Sequence, residues 1–253
     1  MDLGLEDVHV LVTEQGAKVS AHYRSNPSTL GDLSSTYGPE QLLAVRADLT
    51  QEDDLIQLFE EATATFGPVQ ILVVNHGYWP PEDVPIARMT LNQWNSTIST
   101  DLTSSFLVIR GFLNNLEKAS DSEKEKAAIV LIGSTAGKFG EAGHADYAAS
   151  MMYGLTMSLK NEIVKIAPRG RVNCVAPGWV RTPMAESALQ NPKIVYQALA
   201  TTPLKKVAQP QDIASQIVIL SSPLVSGHVT GQVVMVEGGM EGRLLNRPED
   251  LTS

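Results

Sequence analysis

Basic residues are scarce in this chain: 19 Lys and Arg stand against 28 Asp and Glu over 253 residues, for a net charge of -9 and a pI near 5.0. That balance argues against a nucleic-acid partner, because binding a phosphate backbone depends on cations that displace counterions. Cysteine is nearly absent. Cys174 stands alone, so no intrachain disulfide can form and nothing points to an oxidising compartment. Long apolar runs are missing too: none approaches the ~20 residues of a membrane helix. The stretch up to Thr13 is too short and too acidic for a secretory signal. A cytoplasmic protein without membrane contact is expected, and no metal site stands out.

Repeats and Pro/Gly/Ser-rich linkers are also lacking, so residues 1–253 read as a single domain. What is present is alternation. β-Branched apolar runs occur at residues 8–13, 19–23, 42–47, 69–75, 127–133, 171–176 and 233–237. Runs apolar at every position, such as Ile71-Leu72-Val73-Val74 and Ile129-Val130-Leu131-Ile132, suit strands buried on both faces of a parallel sheet. Segments of helical spacing lie between most of them. Thr50 is placed to cap a helix with Leu55, Leu58, Phe59 and Ala62 on one face, and Thr90 with Gln93 matches a capping box opening a helix through Trp94 and Ile98. One long helix is predicted from Tyr147 to Ile166, and another follows Pro210 with Ile213, Ile217 and Leu220 in register. Residues 118–126 read as a solvated helix end and loop. The expected fold class is α/β: a doubly wound, Rossmann-like, mostly parallel sheet in one domain.

One crossover is missing. The first two strands are separated only by Glu14, Gln15, Gly16, Ala17 and Lys18. Joining neighbouring parallel strands takes about a dozen residues or more, usually a helix. Either the first strand is displaced or antiparallel, or a helix is absent and the first βαβ unit is truncated at residues 13–19. In a doubly wound fold this is where a dinucleotide's diphosphate meets a glycine-rich turn and a helix N-terminus. Gly16 stands alone here and reads as a turn residue.

From Val19 onward the sequence resembles the short-chain dehydrogenase/reductase family. The resemblance rests on Asp48-Leu49, Val74-Asn75-His76-Gly77, Ile132-Gly133-Ser134-Thr135-Ala136-Gly137 and Tyr147-Ala148-Ala149-Ser150-Met151, in that order. It continues through Val175-Ala176-Pro177-Gly178-Trp179-Val180-Arg181-Thr182 to the closing Glu237-Gly238-Gly239. The resemblance implies an NADP(H)-dependent oxidoreductase acting on a small carbonyl compound or alcohol. It implies that Arg24 selects the phosphate of NADP, that Asp48, Asn75 and Gly77 flank the adenosine half, and that Pro177, Gly178 and Thr182 line the nicotinamide side. Dimers or tetramers packed through residues 91–112 and 147–166 are implied as well. Thr13 normally leads into a glycine-rich loop in this family, but here it runs directly into Glu14. A genuine deletion and a misdrawn exon boundary would leave the same sequence.

Family members pair a serine with a tyrosine thirteen positions later, as Ser134 and Tyr147 are spaced. A free phenol has a pKa near 10, and the family lowers it with a lysine four residues on, one helical turn away. Here that position is Met151, whose thioether carries no charge. Asp101 stands where the family has asparagine, and its charge near Tyr147 would raise the phenol's pKa. His144 and His76 are candidate replacement bases, more simply read as structural residues. Cys174 lies in a buried strand without a basic neighbour, an inert setting. Tyr78, Trp79, Trp179 and Met184 suggest an apolar or aromatic pocket. Three readings stay open: an NADP-dependent redox enzyme with an imperfect gene model, a non-redox pseudoenzyme, partner subunit or small-molecule-binding protein, and a decayed chain without a stable fold.

Overall fold

The computed structural model describes Leu3, Leu5, residues 8–11 and residues 17–240, and the glycine and threonine of the 13–16 stretch lie outside these described residues. Seven strands form one sheet: β1 (His9–Leu11), β2 (Lys18–Tyr23), β3 (Leu42–Arg46), β4 (Ile71–Val74), β5 (Ala128–Ile132), β6 (Arg171–Pro177) and β7 (Val233–Val236). Their order is β3-β2-β1-β4-β5-β6-β7, and every pairing is parallel. The all-apolar runs sit where expected, since β4 is buried along its length and β5 nearly so.

Helices α1 (Gly31–Tyr37), α2 (Glu52–Phe66), α3 (Leu91–Thr97), α4 (Ser104–Glu117) and α5 (Asp121–Lys124) precede β5. Short helices α6 (Ala136–Phe139) and α7 (Ala145–Ala149) follow it, then α8 (Tyr153–Ile166), α9 (Glu186–Leu189), α10 (Pro192–Ala200) and α11 (Pro210–Ser221). One core lies under α2, α4 and α8, and includes Leu58, Phe112, Leu116, Ile129 and Ile163. The other lies under α11, where Ile213, Ile217 and Leu220 meet Val73, Val130 and Val175. The helices α2 and α4 approach so closely that a Cβ on Gly111 would fall 2.5 Å from the Phe59 ring. Among the described residues no helix is long and apolar enough to cross a membrane, and no group of three or more His, Cys, Asp or Glu could hold a metal ion.

The first strand is neither displaced nor antiparallel. It pairs in parallel with β2, His9 opposite Lys18 and Val10 opposite Val19, and with β4 on its other side. The seven steps from Leu11 to Lys18 reach about 25 Å, enough to drop back along one strand and cross to the next. They are too few for a crossover helix. The consequence shows in β2, which has a strand on each side yet is buried only at Ser20 and Ala21. Side chains compensate at the bottom of this edge: the His9 ring bridges Ser20 Oγ at 2.9 Å and the Gly67 carbonyl at 2.8 Å.

Three local expectations change. Thr50 does not cap α2; its hydroxyl donates to Asp48 Oδ1 at 2.7 Å, and Gln51 takes the cap position. Thr90 does cap α3, accepting from the Gln93 amide at 3.1 Å, but the Gln93 side chain turns to Asp146 rather than closing the box. The single helix predicted from Tyr147 to Ile166 is broken. α7 stops at Ala149, α8 starts at Tyr153, and between them Met152 takes φ 24° and ψ 16°. A buried non-glycine residue held there costs roughly 1–3 kcal/mol. Residues 118–126 contain the short α5, closed by a capping box between Ser120 and Glu123.

The buried Arg171 at the foot of β6 ties the sheet to α11, its guanidinium donating to the carbonyls of Leu220 and Ser221. Arg171→Ala removes both donors and leaves two buried carbonyls unmet, so we expect a loss of about 3 kcal/mol, read from the urea unfolding midpoint. A loss under about 1 kcal/mol would show that this clamp is dispensable.

Candidate active site

The order of strands reverses between β1 and β4, and a doubly wound sheet opens a crevice at the carboxyl ends beside such a point. A cleft of about 910 Å³ lies there. Each strand end delivers residues to it: Arg24 after β2, Asp48 after β3, Asn75 to Gly77 after β4, Ser134 after β5, and Pro177 and Gly178 at the end of β6. Thr182, Tyr78, Trp79, Trp179 and Met184 line the same cleft, with Tyr147, Met151 and Asp101. The candidate residues spread along the sequence are thus neighbours in space.

At the end nearest β2 and β3, Arg24 Nη2 meets Asp48 Oδ2 at 3.0 Å, an ion pair whose arginine is well exposed. Asp48 is held below the usual carboxylate range first by the Thr50 hydroxyl and amide and then by Arg24. Arg24 is the one Lys or Arg among the described residues lining the cleft.

The centre is built around Tyr147 on α7. Buried Asp146 fixes the helix, its Oδ2 accepting from Thr97 Oγ1 at 2.8 Å and its Oδ1 from the Tyr147 amide at 2.9 Å. The Trp79 ring stands edge-on to the Tyr147 ring at 4.8 Å and stacks on His144 at 3.9 Å. Across from it, Asp101 lies in a π-helical stretch, Ile98–Thr103, and is buried. Its Oδ1 accepts the Tyr78 amide at 2.7 Å, and Ser150 Oγ lies 3.5 Å from its Oδ2. Burial pushes the Asp101 carboxyl up to about 6; the Tyr78 amide and Ser150 hydroxyl oppose this, and Asp146 adds to it. Burial also raises the Tyr147 phenol, hydrogen bonding to Ser134 draws it back, and the Asp101 charge raises it further. Desolvation outweighs Asp101 in this shift, which reading the substitution in sequence did not reveal.

Met151 is four residues after Tyr147 but not on its helix, because α7 has already ended. Its Cβ packs against Gly137, where an added Cβ would fall 2.6 Å away. The turn of chain that would present a side chain beside the phenol is replaced by this break. Tyr153, the first residue of α8, instead donates its hydroxyl to the Ser134 carbonyl at 2.6 Å.

His144 pairs with Asp83 Oδ1 at 2.8 Å through Nε2 and supports Trp79. His76 bonds Ser104 Oγ at 2.7 Å, and burial lowers it to about 4, so it is neutral at physiological pH. Burial pushes the Cys174 thiol up to about 11. Sequence reasoning missed Glu141, which lines the cleft, and the pairing of Asp83 with His144. Glu141 lies between Ser134 and Tyr147 in the chain, so proximity to that pair was the available signal; Asp83 offered none.

Fold and site together define a short-chain dehydrogenase/reductase, and the chain belongs to that family. The family described as Enoyl-(Acyl carrier protein) reductase matches residues 9–241. The 3-oxoacyl-(acyl-carrier-protein) reductase FabG of Vibrio cholerae is 33% identical over 91% of this chain and 89% of its own length. An uncharacterized oxidoreductase of Mycobacterium bovis is 34% identical over 80% of this chain and 78% of its own. Among solved structures, a short-chain dehydrogenase/reductase from Brucella melitensis, titled glucose/ribitol dehydrogenase, superposes with a TM-score of 0.83. It is 28% identical and covers 94% of this chain and 98% of that one.

Asp101 carries a sign that can be checked. Its folded pKa lies above the unfolded value near 3.8, so the native state binds the extra proton between about pH 4 and 6. Stability from this group is full at low pH and is lost as pH rises through about 6. Asp101→Asn keeps the oxygen that accepts the Tyr78 amide and removes the titration. We expect this variant to gain on the parent by on the order of 2 kcal/mol between pH 4 and 8 in urea unfolding. A constant difference across that range would show that Asp101 does not titrate as described.

Proposed function

We propose that this chain holds a small carbonyl compound or alcohol on Ser134 and Tyr147, and that its NADP(H)-dependent redox activity is severely impaired. The observation behind this reading is the setting of Tyr147: a buried phenol near Asp101, with no Lys or Arg among the described residues lining that part of the cleft. At its ordinary pKa only about one phenol in a thousand is ionised at pH 7, and this one is shifted further from ionisation. The protonated hydroxyls of Tyr147 and Ser134 remain able to donate hydrogen bonds to a carbonyl oxygen. They can therefore bind and polarise such a group without exchanging a proton through a phenolate.

The cofactor reading is uneven along the cleft. Arg24, Asp48, Asn75 and Gly77 suit the adenosine half of NADP(H), and Pro177, Gly178 and Thr182 suit the nicotinamide half. The diphosphate between them lacks a counterpart, because no helix N-terminus follows β1 among the described residues. The site does not fit the whole dinucleotide, and no step of the reading passes through it. The exposed Leu91, Phe106, Met157 and Val164 on α3, α4 and α8 support a homodimer or homotetramer packed through these helices.

Titrating the purified protein with NADPH, followed by thermal unfolding, is expected to give no stabilisation at micromolar concentration. Turnover of small ketones is expected to stay far below that of the parallel measurement on the V. cholerae FabG protein. Met151→Lys alone is expected to recover less than about tenfold, because position 151 lies off the helix of Tyr147. A micromolar NADPH dissociation constant with rates equal to FabG would end the impaired reading. A gain of about a hundredfold from Met151→Lys would overturn the account of the broken helix.

A further inference from the structure

We propose that the ligand of the Tyr147 cleft is a small organic ammonium cation, with an apolar body and a hydroxyl or carbonyl group for Ser134 and Tyr147. The proposal deepens the substrate-holding reading above and rests on it for the role of Ser134 and Tyr147. Its own support is the make-up of the walls. Four aromatic rings line this part of the cleft: Tyr78, Trp79, Tyr147 and Trp179. Their π-faces are the negative poles of the ring quadrupole, and a cation set over Trp or Tyr gains more than a neutral group of the same shape.

Charge points the same way. The two ionisable carboxylates lining this part are Asp101, buried beside Tyr147, and Glu141, exposed at the rim. Arg24, the one Lys or Arg of the lining, lies at the other end and is already paired with Asp48 at 3.0 Å. The neighbouring Asp146 adds a third carboxyl, buried behind Tyr147, and its bonds go to Thr97, Gln93 and the α7 backbone rather than to a cation. A negatively charged ligand beside Tyr147 would meet repulsion from Asp101 and Glu141, and a neutral one would bring no counter-charge to them. The Asp101 carboxyl is driven toward its neutral form when nothing cationic opposes it. An ammonium group in the cleft supplies the missing counter-charge in a setting of low dielectric.

The cavity of about 910 Å³ has room for such a molecule with its apolar body against Met184 and Trp179. Two of the three tryptophans, Trp79 and Trp179, line the cleft, so intrinsic fluorescence reports directly on occupancy.

The test compares choline with neohexanol, its uncharged isostere, by fluorescence titration of the full chain without any nicotinamide cofactor. Choline is expected to bind about tenfold more tightly than neohexanol. Glu141→Gln, at an exposed position, is expected to weaken choline about fivefold and leave neohexanol unchanged, which also controls for folding. Equal binding of the two, tighter binding of neohexanol, binding of neither, or an equal effect of Glu141→Gln on both would each overturn the proposal. Because no NADPH is present, these outcomes are independent of whether the redox reading stands.

Discussion

The site turns on an electrostatic imbalance: a buried phenol shares its corner with carboxylates, and among the described residues no Lys or Arg lines that corner to oppose them. A tyrosine hydroxyl ionises readily only where a positive charge is near, because the phenolate is otherwise penalised twice, by desolvation and by any neighbouring anion. Tyr147 meets both penalties, burial first and Asp101 second, with only the Ser134 hydroxyl acting the other way. The same imbalance shapes its neighbours. Asp101 itself moves toward neutrality, because burial and Asp146 outweigh the Tyr78 amide and Ser150 hydroxyl that favour its charged form. The centre of the cleft thus presents hydroxyl groups, aromatic rings and a carboxyl shifted toward neutrality.

Two places explain how a fold of this type reaches that state. In each, an element expected from the sequence is missing or interrupted. Between β1 and β2 a crossover helix has no residues to form from, and β2 is left partly exposed. Between α7 and α8 a continuous helix gives way to a break at Ser150, Met151 and Met152, with Met152 at φ 24°. The helix break borders the cleft and leaves the centre of the sheet intact. The pairing of β4, β5 and β6 is complete, and the largest buried side chains, such as Phe112, Leu116, Ile129 and Ile163, pack around those strands.

Much of this was legible from residue patterns because it rests on periodicity. All-apolar runs suit strands buried on both faces, which placed β4 and β5, and the spacing of Leu55, Leu58, Phe59 and Ala62 placed the buried face of α2. The pairing of Ser134 with Tyr147 was legible through the family resemblance alone, whose spacing of thirteen these two residues share. What could not be read was continuity. Residues 147–166 have helical composition throughout, and nothing in Ser150-Met151-Met152 is a helix breaker, because methionine is a good helix former. The break comes from tertiary demands: Met152 is drawn into the core under α4 and α8 while Met151 is pressed on Gly137. The direction of β1 was equally hidden, because local rules govern how many residues a crossover helix needs but not whether a short loop can replace it.

Such a molecule shows why fold and chemistry separate so easily in this architecture. The strands that hold the hydrophobic core together, β4 and β5, are buried along nearly their whole length, and burial there is worth about 25 cal/mol per Å² whether or not a ligand arrives. Residues that grip a cofactor or tune a phenol contribute little to that sum. Several of them, the ion pair of Arg24 with Asp48 included, sit at the surface where their net worth to stability is near zero. The crevice that the strand reversal creates is therefore set by the core strands, largely independently of the residues that line its two ends. Among the described residues, that crevice carries aromatic rings and carboxylates beside Tyr147 and an arginine at its other end, so its electrostatics change along its length while its shape is held by the strands.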